Sequence, residues 1–306
     1  MDREQKDMQF LGLFGIYLES YKIIFNFRRI FSKISLAFTL PLSLIFLANI
    51  AVSDSLSSEG AAFWLVEFVY LTFSLVFSIL STTAVVYTVA SVYTGHDVTF
   101  GKVMSVIPKV WKKLMVTFLC AFLAFLAIFL CNVVLVVPII LWRVTIKNSY
   151  IPGLVFFLAI VILYVVVYMT VVWWLTGVVS VLEDIKGIKA MIKSRNLIQG
   201  KMGIAIVTLL MLDVAIFGIQ VLFKNQVVHT RSFSVTGRFA FGFLCLLMIF
   251  SVFLFALVIE TVIYFVCKSY HHENIDKSLL SDHLEVYQGE HVPVKANDDQ
   301  LEKFDV

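Results

Sequence analysis

Three carboxyls interrupt the apolar runs of this 306-residue chain: Glu67, Asp213 and Glu260. Carboxyls so placed can pass a proton or small cation along, hold a cation, or hydrogen-bond a neighbouring helix. Glu67 lies near one end of its run, Asp213 near the middle and Glu260 toward the opposite end. No Lys or Arg lies in the interior of those runs to pair with them. The run that holds Glu67 also carries Ser74, Ser78, Ser81 and Thr88, and all five fall on one face at a period of about 3.6 residues. Such a stripe can line a wet path. It can equally let two helices approach closely, which is the more ordinary use of Ser and Thr in apolar helices.

Other chemistry has no foothold. There is no G-x-S-x-G, P-loop, H-E-x-x-H or C-x-x-C. No nucleophile is paired with a base at a definite spacing. The expectation is a non-enzymatic protein with no catalytic residue, no cofactor and no metal site. His271-His272-Glu273 has ligand-type atoms, but a solvated turn is expected there. Cys120, Cys131, Cys245 and Cys267 lie in or beside apolar runs and read as small packing residues rather than a disulfide framework.

The elements that must position these groups follow from composition. The chain is 60% hydrophobic and 15% charged, and mean hydropathy is +0.93. A soluble domain is nearer 45–50% apolar, so roughly that excess needs lipid to cover it. Six runs read as transmembrane helices, at 34–52, 62–94, 115–142, 151–182, 202–223 and 239–268. Pro41 predicts a kink in the first. The connectors on the side of both termini hold 19 Lys and Arg, and those on the other side hold 5. By the positive-inside rule both termini face the cytoplasm. A net charge of +3 is too small to suggest nucleic acid as a partner.

Polar residues ahead of the odd-numbered runs repeat. Glu19, Lys22, Asn26 and Arg29 are followed by Lys102, Ser105, Lys109 and Lys112, and then by Lys186, Lys189, Lys193 and Asn196. Each set has spacing 3, 4, 3, which is one face of an α-helix. Apolar residues fill the rest, among them Tyr17, Tyr21, Ile24 and Phe31, then Val103, Val106 and Val110, then Ile185, Ile188 and Ile192. The reading is three repeats, each an interfacial elbow helix followed by a hairpin of two spans. Lys22, Arg28, Arg29, Lys109, Lys112, Lys113, Lys189, Lys193 and Arg195 would face anionic lipid headgroups.

Three parts result: 1–33 as a cytoplasmic segment with an amphipathic helix, 34–268 as the membrane domain, and 269–306 as an acidic tail. The tail has 3 Lys against 9 Asp and Glu and reads as disordered. Its segments 283–287 and 292–294 could dock on a cytoplasmic protein partner.

The N-terminal segment MDREQKDMQFLGLFGIYLESYKIIFNFRRIFSKIS and the tail DKSLLSDHLEVYQGEHVPVKANDDQLEKFDV together resemble a family of six-span membrane proteins of flowering plants. The elbow-plus-hairpin layout is also similar to bacterial YciC-like proteins and to the membrane domain beside some glycerophosphodiester phosphodiesterases. The resemblance implies the architecture and supplies no catalytic residue. The expected class is an all-α integral membrane protein that organises membrane or docks partners. The alternative is a transporter or channel for a small ion or solute.

Overall fold

The computed structural model describes residues 8, 10–56, 60–95, 98–145, 151–183, 185–229 and 234–271. The expectations for the tail after His271 lie outside the described residues, as do His272 and Glu273. The described residues form nine α-helices and no strand. These are α1 (Leu13–Asn26), α2 (Arg28–Ile34), α3 (Leu40–Ser55), α4 (Ala61–Thr94), α5 (Phe100–Thr145), α6 (Ile151–Leu182), α7 (Ile188–Ile198), α8 (Met202–Phe223) and α9 (Val235–Tyr270).

Six segments are long and apolar enough to cross a membrane: Arg28–Asp54, Ala61–Thr94, Phe100–Val134, Phe156–Leu182, Met202–His229 and Val235–Tyr270. The chain is an all-α multi-pass membrane protein. The first span is disturbed where Pro41 predicts. A π turn over Ser35–Thr39 joins α2 to α3, and Pro41 sits in the first turn of α3. Proline has no N–H to donate, so the hydrogen-bond ladder is reset just before it.

The second helix of each hairpin forms the centre. α4, α6 and α9 all touch one another. On the half nearer the elbows their facing residues are sealed: Val85, Val86 and Val89 of α4, Val178 and Val179 of α6, and Val258, Ile259 and Val262 of α9 are all 0% exposed. Thr83, Thr88, Thr176 and Thr261 each donate to a carbonyl one turn back, at 2.8, 2.7, 2.6 and 2.9 Å. A hydroxyl satisfied inside its own helix presents only a short, apolar face to the next helix, so the backbones can approach. The other halves are open: Trp64, Leu65 and Phe68 of α4, and Phe156, Phe157 and Leu163 of α6, are exposed.

Elbows pack against this centre as a ring. α7 packs on α6, the span that precedes it, and α5 packs beside α4. α1, the elbow ahead of the first described span, packs on α9. Tyr17 lies 5.7 Å from the Phe255 ring there.

The second elbow is continuous with its span rather than set off from it. α5 runs unbroken for 46 residues from Phe100. The third elbow ends at Gly200, whose φ of +92° favours glycine. In the register of the polar repeats, Val116 occupies that place in α5 and has a Cβ that resists such a turn. At the Gly200 corner, His271 Nε2 lies 3.0 and 2.9 Å from the Leu197 and Gln199 carbonyl oxygens and donates to them as the Nε2–H tautomer. A Cβ on Gly200 would come within 2.3 Å of Tyr270 Cε1. Gly200→Ala should therefore lower stability by about 1–3 kcal/mol. Gly203→Ala, with nothing within 4 Å, should change it by less than about 1 kcal/mol. Thermal melts of the two purified variants in the same detergent check this contrast.

Candidate functional site

Ser74, Ser78 and Ser81 follow one another at helical spacing on α4 and open onto a cavity of about 470 Å³. All six spans contribute to its lining. Thr82 of α4, Gly177 of α6 and Glu260 of α9 meet at its inner end. A Cβ built on Gly177 would lie 3.6 Å from Thr82 Cγ2 and 3.8 Å from Glu260 Oε1. The absence of a side chain at 177 thus leaves room beside the carboxyl.

Asp213 of α8 lines the same space. Two edge-to-face aromatic pairs stand in the wall, Phe118 with Trp173 at 6.4 Å and Phe46 with Phe253 at 5.4 Å. Glu260 is 9% exposed. Among the described residues neither Glu260 nor Asp213 has an ion-pair or hydrogen-bond partner. Ser81 Oγ is buried without a partner as well.

Of the intramembrane residues singled out by sequence, five come together here: Ser74, Ser78, Ser81, Asp213 and Glu260. Glu67 does not join them. It accepts a hydrogen bond from Ser53 Oγ at 2.7 Å, tying span two to span one at the hairpin-loop end. Thr88 packs within the sealed centre. The five-residue stripe therefore divides into a helix tie, a cavity wall and a packing contact, because each level of α4 meets different neighbours.

The basic residues lie at the elbows. Lys22, Arg28, Arg29, Lys109, Lys112, Lys189 and Arg195 are exposed, and Lys113 and Lys193 are half-buried. Glu19 departs from the polar face assigned to it. It is 5% exposed, because α1 turns that edge toward α9. The apolar residues of the elbows also divide between two faces. Ile23, Val106 and Ala190 occupy one repeat position and are 0% exposed. Tyr21, Met104 and Ile188 occupy another and are 58%, 43% and 66% exposed. Phe25, Pro108 and Ile192 occupy a third and are exposed too. Each repeat thus presents two apolar residues outward beside its basic ones.

A family model described as a domain of unknown function, DUF8558, matches residues 1–59 and 51–304. The chain belongs to the DUF8558 family. No curated protein and no solved structure matches it. The DUF8558 domain covers elbows, spans and cavity together, so the cavity is a feature of the matched region itself.

Three polar contacts of the DUF8558 domain escape sequence reasoning. Tyr264 Oη donates to Glu183 Oε1 at 2.8 Å, and Lys268 Nζ pairs with the same oxygen at 3.2 Å. Lys224 Nζ pairs with Asp54 Oδ1 at 2.8 Å. Arg238 donates through Nε and Nη2 to the Val227 carbonyl, at 2.9 and 2.6 Å. The first two join residues far apart in the chain, and no local spacing announces them. No group of three His, Cys, Asp or Glu among the described residues is placed to hold a metal ion.

Accessibility of this wall can be read by thiol chemistry. In a background lacking the four native Cys, Ser74→Cys and Ser78→Cys should react with a small thiol reagent at least about tenfold faster than Val85→Cys and Val89→Cys, because thiol reactivity follows exposure. Mass spectrometry of labelled protein checks the order.

Proposed function

We propose that this protein is a non-enzymatic membrane organiser whose elbows grip the anionic cytoplasmic leaflet while its tail docks a cytoplasmic partner. One observation carries the reading: the three elbows share a register of exposed apolar positions, and each sets exposed basic residues beside them. Tyr21 and Phe25 stand beside Lys22, Met104 and Pro108 beside Lys109 and Lys112, and Ile188 and Ile192 beside Lys189 and Arg195. An apolar residue that dips below the headgroups, with a cation at headgroup level, is how an interfacial helix holds a leaflet. Each cation there contributes about 1 kcal/mol against an anionic surface.

Orientation supports the same assignment. The elbows lie on the side with 19 of the 24 Lys and Arg, and the cytoplasmic leaflet is the anionic one. The similarity to six-span plant membrane proteins agrees with this layout and names no activity.

A second reading is favoured by the shared cavity. Transport of a small ion or solute would use Asp213 and Glu260, and the sealed halves of α4, α6 and α9 would have to part to let it through. It predicts that Asp213→Asn and Glu260→Gln abolish flux into vesicles while the protein stays folded.

The organiser reading is tested by lipid-dependent melting. Phosphatidylserine added to detergent-solubilised protein should raise Tm by several degrees, and salt should weaken the effect. Phosphatidylcholine should not reproduce it. Reversal of Lys189, Lys193 and Arg195 to Glu should remove most of the difference between the two lipids. An equal response to both lipids, or an unaltered one in the triple variant, would refute it.

A further inference from the structure

The cavity has a chemistry of its own. Its wall is mostly aromatic and aliphatic, yet it holds two carboxyls and a buried, unpartnered serine hydroxyl. No Lys, Arg or His lines it. A buried carboxylate is costly unless it is paired. A cationic ligand in this space would give both carboxyls a partner that the wall itself does not supply.

The kind of cation follows from the walls. A hard metal ion takes about six oxygen ligands in a compact shell, usually with several carboxylates, and no group of three His, Cys, Asp or Glu is placed to hold one among the described residues. An ammonium group needs less: one or two carboxylates, hydroxyl acceptors, and aromatic faces to receive its remaining charge. Trp173, Phe118 and Tyr70 supply such rings. The volume falls within the roughly 300–1,000 Å³ usual for small-molecule sites.

The route follows from Asp213. It sits near the middle of α8, lines the cavity and is itself exposed. Leu210, Val214 and Phe217, beside it on the same helix, are also exposed and apolar. The cavity therefore reaches the bundle surface among side chains that face acyl chains. A ligand entering there comes from the bilayer and carries an apolar tail.

We propose that this cavity binds a long-chain amine. Its ammonium lies between Glu260 and Asp213, with Ser74, Ser78 and Ser81 accepting its hydrogens. Its alkyl chain runs out past Phe217 toward lipid. Binding stands whether or not the amine is carried across the membrane, so it does not depend on either reading above.

The test uses the full chain in an uncharged detergent and a decylbenzylamine brominated on its ring, so that the bromine sits near the ammonium and quenches nearby indoles such as Trp173 and Trp174. Quenching should saturate with the amine. The matching ring-brominated decylbenzyl alcohol, equal in chain and lacking the charge, should bind at least about tenfold more weakly, a difference of about 1.4 kcal/mol. Asp213→Asn and Glu260→Gln should each weaken amine binding by about tenfold or more. Gly177→Leu, which fills the space beside Glu260 and leaves both charges in place, should abolish saturation. Trp173→Phe with Trp174→Phe should remove most of the quenching, locating the probe. Equal binding of amine and alcohol would mean partition into the micelle only, and would overturn the proposal. So would wild-type affinity in a folded Gly177→Leu protein or in a folded protein with both carboxyls neutralised. Should a carboxyl variant fail to fold, the amine-to-alcohol ratio in the wild type and Gly177→Leu decide the matter.

Discussion

The close approach of α4, α6 and α9 governs the rest of this molecule. Inside a bilayer there is no water to satisfy a stray polar atom, and burying one apolar helix against another gains little over burying it in lipid. Packing must therefore come from fit. Thr83, Thr88, Thr176 and Thr261 return their hydroxyls to their own backbone, so at those turns small and β-branched side chains can interlock. Where that continues, on the half nearer the elbows, the three helices are sealed. Where α4 instead presents Ser74, Ser78 and Ser81, and α6 presents Gly177, the seal gives way to a cavity. Packing and cavity follow from which residue faces inward at each turn.

Much of this was written locally in the chain. Hydropathy located all six spans to within several residues at most ends, since length and composition alone make a helix able to cross a membrane. Pro41 marked the disturbance in the first span. The spacing of the elbow residues marked three repeats, because a helix face is a property of sequence period. What was not legible depended on neighbours. Glu19 has the same spacing as Lys22 and Arg29 but lies on the edge that meets α9. The fusion of the second elbow with its span turns on Val116 standing where the third repeat has Gly200, a difference that gains meaning only once the turn is seen.

The candidate site shows the same division. A carboxyl in an apolar run is conspicuous in any sequence, and Glu67, Asp213 and Glu260 were all visible. Their grouping was not. Depth along a span suggested three steps of one path, but depth says nothing about which way a side chain points. Glu67 faces Ser53, while Asp213 and Glu260 line one cavity with three serines from a third helix. Glu183, Tyr264 and Lys268 were invisible as a set, since the helices that carry them meet only in the folded bundle.

The ring of elbows carries a consequence for biosynthesis. Among the described helices, α1 leaves the ribosome well before α9, the helix it rests on. Until α9 is inserted, the side of α1 that bears Ile16 and Ile23 lacks its main packing partner, while Phe14, Leu18, Tyr21 and Phe25 face outward on the other. The membrane interface can shelter both sides in the meantime. Assembly is therefore completed by a contact between helices far apart in the sequence. A ribosome stalled before the sixth span would leave five spans inserted and the first elbow waiting, a state that quality-control machinery could recognise by its uncovered apolar helix.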